Sequence, residues 1–206
     1  MRIRNLYNAK DIINESEYII KNPQDYKGRY KHLFDNDNPI HLEIGMGKGS
    51  FLLNIALLNP NINYIGIEKY DTIVAKAIEK ISAYNLTNLK IIRIDALELD
   101  SIFEKEIALI YLNFSDPWPK AKHAKRRLTS HIFLNIYDKL FIADKLIKMK
   151  TDNLGLFESS VESLTSYGYE IIEKSNNHNS RVKTEYEEKF INRGIKINYL
   201  SAFKEK

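Results

Sequence analysis

Apolar residues recur along this chain with two different periods, and the two periods take turns. Short apolar runs at 40–44, 64–67, 89–94, 107–114, 145–149 and 169–172 read as buried strands. The alternating IKINYLSAF at 195–203 reads as a last strand. Between the strands, apolar positions fall three and four apart, which predicts helices over 50–58, 72–84, 129–141 and 153–167. The stripe at 72–84 is Ile73, Ala77, Ile78, Ile81 and Tyr84, and that at 129–141 is Ile132, Phe133, Ile136, Tyr137 and Leu140. Such alternation predicts an α/β fold: a mainly parallel seven-stranded sheet with helices on both faces.

Turn chemistry punctuates this pattern. DNDNP at 35–39 opens the main fold, and Asn59-Pro60 stops the helix before it. Residues 1–35 read as an N-terminal extension, with basic residues at Arg2, Arg4 and Lys10. There Asn14 or Ser16 is expected to cap a short helix through Ile20, ended by Asn22-Pro23. No linker divides 36–206, so one domain is expected. SNNHNSRVK at 175–183 is polar and is expected to form a mobile loop.

Composition narrows the class. The chain has 206 residues, 44% hydrophobic and 28% charged, as in ordinary soluble domains. No apolar run reaches the roughly 18 residues of a membrane span, and the start, MRIRNLYNAK, lacks a signal-peptide core. Cysteine is absent, which removes disulfides and thiolate chemistry. A cytoplasmic protein with no membrane partner is expected, as a monomer or homodimer. No His, Cys and acid cluster has metal-ligand spacing, so no metal is expected.

Two stretches carry candidate chemistry. Net charge is only +4, yet five Lys or Arg fall within residues 120–127: Lys120, Lys122, Lys125, Arg126 and Arg127, with His123 and Ala124 among them. A local patch on a nearly balanced chain points to a specific anionic partner. It follows Ser115-Asp116-Pro117-Trp118-Pro119, at the carboxyl end of a strand, where open α/β sheets bind ligands. The prolines predict an extended, stiff elbow presenting Asp116, and the lone Trp118 is expected in the core.

The second stretch is HLEIGMGKGSF, with Gly45, Gly47 and Gly49 between a strand and its helix. A phosphate-binding P-loop fails, because Lys48 is followed by Gly49 rather than Ser or Thr. A dinucleotide loop needs GxGxxG, and Glu43 would face a pyrophosphate of like charge. S-adenosylmethionine has no phosphate, and its sulfonium and α-ammonium suit an acid there. Glu68 ends the second strand, 19 residues after Gly49, where an acid accepts hydrogen bonds from ribose hydroxyls. Asp95-Ala96 follows the third strand, beside the expected adenine.

EIGMGKG, GIE, the pair at 95–96, NFSDPWPK followed by KHAKRRL, TDN at 151–153 and TEYEEKF at 184–190 occur in this order. Together they resemble the bacterial tRNA (guanine-N7-)-methyltransferases of the TrmB type, over about 26–190. The resemblance implies a class I S-adenosylmethionine-dependent methyltransferase fold, Rossmann-like, and the variable-loop guanine of tRNA as acceptor. By position it implies a cofactor site of Glu43, Gly45, Gly47, Gly49, Glu68, Asp95, Ala96 and Asp116, with Asp116 also catalytic. It assigns substrate contacts to Lys120, Asp152, Thr184, Glu185, Tyr186 and Glu187. RNA contacts fall to Lys122, His123, Ala124, Lys125, Arg126 and Arg127. Lys122 stands where the family commonly has Arg; it keeps the charge and loses the bidentate fork.

Guanine N7 carries a free lone pair, so methylation there needs no general base. The acids Asp116, Asp152 and Glu187 are candidates to hold the other edge of the base, and Trp118 is a possible stacking partner. Three other readings fit parts of the pattern: a nicotinamide-dependent dehydrogenase, a non-catalytic RNA-binding module, and a methyltransferase acting on an exocyclic amine. Against the first stand Glu43 and the glycine spacing, and the second leaves the glycine loop idle.

Overall fold

The structure is a computed structural model that describes residues 7–179 and 182–206. Seven strands form one sheet: β1 (Ile40–Ile44), β2 (Asn63–Glu68), β3 (Leu89–Arg93), β4 (Ile107–Asn113), β5 (Lys145–Thr151), β6 (Glu170–Ser175) and β7 (Asn198–Lys204). Their order is β3-β2-β1-β4-β5-β7-β6. The five strands from β3 to β5 are parallel, and β7 runs antiparallel to both β5 and β6. The expected parallel core is therefore present, edged by an antiparallel pairing that strand–helix alternation does not signal.

Helices cover both faces. Helices α1 (Ala9–Glu15), α2 (Ser50–Leu58) and α3 (Asp71–Ile81) bury Ile13, Phe51, Leu52, Val74 and Ile78 against Tyr64, Leu89 and Ile91 of the strands. On the other face lie α4 (Leu99–Ile102), α5 (His131–Leu140) and α6 (Leu154–Ser166). They pack Ile102, Phe133, Tyr137 and Leu156 against Leu42, Ile44, Ile110 and Leu112. A seventh helix, α7 (Glu185–Ile191), follows the loop after β6.

The N-terminal segment departs from expectation. Its helix is α1, earlier than the one proposed through Ile20. Ser16 Oγ instead accepts from Tyr18 N–H at 3.2 Å, and the chain then runs alongside β3. There Ile20 N–H donates to Ile91 O at 3.0 Å and Ile91 N–H to Tyr18 O at 2.7 Å. Burial of Tyr18 and Ile20 on the sheet outweighs the local helix signal. Tyr30 is fully buried, lies with its ring 4.5 Å from that of Phe103 and donates its hydroxyl to Pro23 O, and Tyr18, Ile20 and Phe34 are buried with it. Arg2 and Arg4, and Ser180 and Arg181 of the expected loop, lie outside the described residues.

Strand order reverses between β1 and β4: the chain moves outward from β1 to β3, then crosses back to the far side of β1. Such a switch point opens a crevice at the carboxyl ends of the strands. Both candidate stretches follow those two strands, the glycine loop β1 and the Asp-Pro-Trp-Pro elbow β4.

Candidate active site

The glycine loop is an open cradle. Gly45 and Gly47 have φ of +76° and +57°, and a Cβ added to either would meet nothing within 4 Å. Glycine there permits the backbone conformation and leaves its outer surface bare for a ligand. The loop is tied to β2, because Gly45 and Met46 N–H both donate to Ile67 O, at 2.9 and 3.0 Å. Gly49 serves packing as well: a Cβ there would stand 3.0 Å from Ile81 of α3. Gly66, which the sequence reading passed over, is required by the same loop, since a Cβ there would overlap Met46 Sδ and lie 2.6 Å from Leu52 Cδ2.

Acids line the adjoining strand ends. Glu43 is buried, and its Oε1 accepts from Asn113 Nδ2 at 2.8 Å. Its Oε2 is enclosed with no hydrogen-bond partner. Burial pushes this carboxyl up to about 8, although the Asn113 amide and the Lys150 ammonium pull the other way. Glu68 Oε1 accepts from the N–H of Lys69 and Tyr70, at 2.8 and 3.2 Å. Burial raises its pKa, opposed by the backbone N–H groups of Tyr70, Lys69 and Gly47 and by the Lys69 charge. Asp95 Oδ1 accepts from Leu97 N–H at 3.0 Å, capping the short turn that Ala96 begins, and Lys69 Nζ lies 3.6 Å from Oδ2.

The elbow after β4 is bent, not extended. Phe114 and Trp118 have φ of +51° and +42°. Non-glycine residues hold such conformations at a cost of roughly 1–3 kcal/mol each, where surrounding contacts impose them. Arg127 supplies part of that constraint: its Nε donates to Pro117 O and its guanidinium to Trp118 O, both at 3.1 Å. Trp118, expected in the core, is half-buried, with the Arg126 guanidinium 4.9 Å from its ring centroid and His123 at 5.8 Å. Asp116 itself is exposed at the bend.

The basic run winds into a 3-10 turn over Ala121–Arg126. Lys120, Lys122, Lys125 and Arg126 are exposed, while His123, Ala124 and Arg127 are half-buried. Asp152 is exposed beside the start of α6, where Asn153 caps the helix through Leu156 N–H at 2.8 Å.

The segment 184–187 turns out to be a helix start. Thr184 Oγ1 accepts from Glu187 N–H at 2.9 Å, and Glu187 Oε2 accepts from Thr184 N–H at 3.3 Å. This reciprocal capping box opens α7 at Glu185. Glu187 is fully enclosed, with Lys150 Nζ 3.0 Å from Oε2. Lys150 also donates to Val182 O at 2.9 Å and lies 5.2 Å over the Phe51 ring. Tyr186, between the two capping residues, is 53% exposed.

The structure thus gathers Glu43, Glu68, Asp95 and the glycines at the ends of β1 to β3, and Asp116 at the end of β4. Of the three candidate clamps, Glu187 is buried against Lys150, whereas Asp116 and Asp152 are exposed. Asn113 and Lys150 were missed. A signal for Lys150 existed: in KLIKMKT, Lys148 and Lys150 stand two apart and so share one strand face. A cavity of about 190 Å³ lies on that face, lined by Phe51, Tyr111, Asn113, Lys148, Lys150 and Tyr199. Among the described residues no group of His, Cys, Asp and Glu could hold a metal ion, and no helix is long and apolar enough to cross a membrane.

An open glycine cradle flanked by carboxylates on successive strand ends repels phosphate and suits a ligand bearing a cation and vicinal hydroxyls. With the seven-stranded topology, this defines the class I methyltransferases. Solved structures agree on the fold: a 16S rRNA methyltransferase, KamB, superposes with a TM-score of 0.64 at 12% identity, over 87% of this chain and 94% of that one. The 16S rRNA (adenine(1408)-N(1))-methyltransferase from Catenulisporales acidiphilia, described with cosubstrate SAM, gives 0.59 at 10% identity, over 87% and 91%.

The sequence comparisons are narrower. A family model described as a putative methyltransferase matches residues 37–200. The tRNA (guanine-N(7)-)-methyltransferase of Lachnoclostridium phytofermentans is 45% identical, with all of both chains covered. Those of Alkaliphilus oremlandii and Geobacillus sp. are each 48% identical over 96% of this chain, covering 96% and 93% of theirs. The chain belongs to the tRNA (guanine-N7-)-methyltransferase family.

Proposed function

We propose that this protein transfers a methyl group from S-adenosylmethionine to N7 of a guanine in tRNA, the variable-loop guanine being the acceptor. The observation that carries this reading is the open cradle of Gly45 and Gly47 between enclosed Glu43 and half-buried Glu68, with Asp116 exposed on the loop after β4, the strand paired with β1. The unpartnered Glu43 Oε2 marks a buried carboxyl that a cationic ligand would ionise and pair with.

When bound, S-adenosylmethionine supplies an electrophilic methyl on a sulfonium. Glu68 would accept hydrogen bonds from the ribose hydroxyls, Asp95 and Ala96 would border the adenine, and Glu43 would favour the cationic end. Asp116, carried on a bend braced by Arg127, orients the acceptor and stabilises the positive charge that the purine acquires. No proton leaves N7, so Asp116 works as a fixed charge and not as a base. Lys120 and Asp152 border the acceptor, and the exposed Lys122, Lys125 and Arg126 meet phosphates.

The test is nucleoside analysis of tRNA after incubation with the protein and labelled S-adenosylmethionine. The expected product is N7-methylguanosine, whose labelled nucleoside is lost on alkaline treatment. An alkali-stable label on an exocyclic amine would overturn the acceptor, and absence of label would overturn the activity.

A further inference from the structure

Three aromatic rings meet where β4 and α7 come together. The centroids of Phe114 and Tyr186 are 6.3 Å apart with planes at 23°; Phe114 and Phe190 are 6.1 Å apart at 30°; Tyr186 and Phe190 are 6.2 Å apart at 29°. Near-parallel rings at this spacing tile a surface. Two further features separate the trio from core packing. Phe114 stands in the left-handed region at φ +51°, two residues before Asp116, so the bend that presents the carboxylate also presents this ring. Tyr186 is 53% exposed, although Thr184 and Glu187 on either side are buried. The capping box that turns those two inward turns Tyr186 outward.

We infer that Phe114 and Tyr186, backed by Phe190, form the platform on which the acceptor guanine stacks, and that this platform favours the purine as it becomes cationic. The inference deepens the function proposed above and rests on it. In the transfer, the N7 lone pair forms the new N–CH3 bond while the C–S bond breaks and its electron pair stays on sulfur. The sulfonium becomes a neutral thioether, the purine takes the positive charge, and no proton moves. Neutral guanine stacks on aromatic rings through dispersion and area. The N7-methylated ring is a cation, and aromatic faces attract cations through their quadrupole. The attraction therefore grows along the reaction, and an interaction stronger in the transition state than in the ground state accelerates the step. Its counterpart is that methylated tRNA is held more tightly than unmethylated tRNA.

The experiment measures affinity for one tRNA in two forms, with guanine and with N7-methylguanine at the acceptor position, alongside single-turnover rates. The full-length protein is expected to prefer the methylated form by about 3–10-fold, the scale of a cation on an aromatic face. In Phe114→Leu and Tyr186→Leu the preference should fall toward one, and the single-turnover rate should drop by about 5–30-fold. Tyr186→Phe keeps the ring and should lie nearer wild type than Tyr186→Leu in both measurements. Loosening of α7 alone would weaken both tRNA forms together and leave their ratio unchanged. Binding of S-adenosylhomocysteine checks that each variant is folded. If the wild type makes N7-methylguanosine but both leucine variants keep its product preference, the platform is wrong and the function stands. If the wild type makes none, the function falls and the platform with it.

Discussion

At the ends of β2 and β3, the carboxylates Glu68 and Asp95 are held mainly by nearby backbone, while Glu43 of β1 is held by Asn113 of β4; at the ends of β4 and β5, the loops are held by side chains distant in sequence. Glu68 and Asp95 each accept from N–H groups one or two residues away, and the glycine loop is fastened to Ile67 O on the neighbouring strand. On the acceptor side, Arg127 bridges nine and ten residues to brace the elbow, and Lys150 bridges 32 and 37 residues to hold Val182 and Glu187. Local bonds form with the strand ends themselves and leave a preorganised cradle. Long-range bonds can be released without unfolding the sheet, which suits a surface that must admit and discharge a tRNA.

Lys150 is the sharpest place to break this contrast. It is buried, and burial pulls its ammonium below the ordinary lysine range, opposed by Glu187. Lys150→Met strands an enclosed carboxylate, a loss of about 3–5 kcal/mol when one partner of a buried pair is removed. The loss should fall mainly on the docking of α7: hydrogen exchange over 185–191 accelerates and KM for tRNA rises, while S-adenosylhomocysteine affinity falls by less, through the Lys150 charge that acts on Glu43. A parallel loss of ligand affinity would show that the two halves are one unit.

Asp116→Ala tests the acceptor half from its exposed tip. The single-turnover rate should fall by about 10²–10³-fold, the scale of deleting one preorganised stabilising group. Fold and tRNA affinity should persist, and Asp116→Asn should lie between the two. Near wild-type turnover in Asp116→Ala would reduce the elbow to scaffolding.

Glu68→Ala tests the cofactor half. Removing a charged acceptor from two hydroxyls should weaken S-adenosylhomocysteine binding by roughly 1.5–3 kcal/mol, read by calorimetry, with tRNA affinity unchanged. Stabilisation of the protein by NAD, with none by S-adenosylhomocysteine, would overturn the reading of the loop.

How far the two halves could be read from sequence follows the same division. The strands, the glycine loop, Glu43, Glu68 and Asp95 lie in contiguous motifs whose spacing encodes their placement. The bracing by Arg127 and the Lys150 partner of Glu187 depend on residues apart in sequence, so the resemblance and charge suggested an RNA contact and a base clamp without either bond. α7 was not anticipated as a helix, although T-x-x-E at 184–187 is a capping-box signature. The bridge at Tyr18–Ile20 was invisible because its partner, Ile91, is some seventy residues away.

Glu43 gives the contrast a pH signature. Its carboxyl is raised from 4.5 to about 8 by burial in the ligand-free protein. Between those values the unfolded chain is ionised while the folded chain keeps its proton, so stability from this group falls as pH rises across that window. Binding of a cationic ligand favours the ionised form, so S-adenosylmethionine affinity should climb with pH toward about 8, by at most about tenfold per unit, and more steeply than that of the uncharged thioether product. Glu43→Gln should flatten both trends in melting temperature and calorimetry. A slope unaltered by that change would assign the titration elsewhere.

The smallest expected effect concerns Arg127, and it separates bracing from phosphate contact within one basic run. Arg127 is half-buried and spends its fork on Pro117 O and Trp118 O, whereas Lys125 is exposed. Lysine at 127 keeps the charge but cannot reproduce two fixed donors. Losing one such bond is worth about 0.5–1.5 kcal/mol, so Arg127→Lys should lower the single-turnover rate by about 3–10-fold through a looser Asp116. Its tRNA affinity and salt dependence should stay near wild type. Lys125→Ala should do the reverse: the rate at saturation holds, and the log–log salt slope of tRNA binding flattens by about 0.7–0.9 for one lost phosphate contact. If Arg127→Lys instead shifts the slope and spares the rate, the elbow is held without Arg127, and residue 127 belongs with the RNA-facing cations.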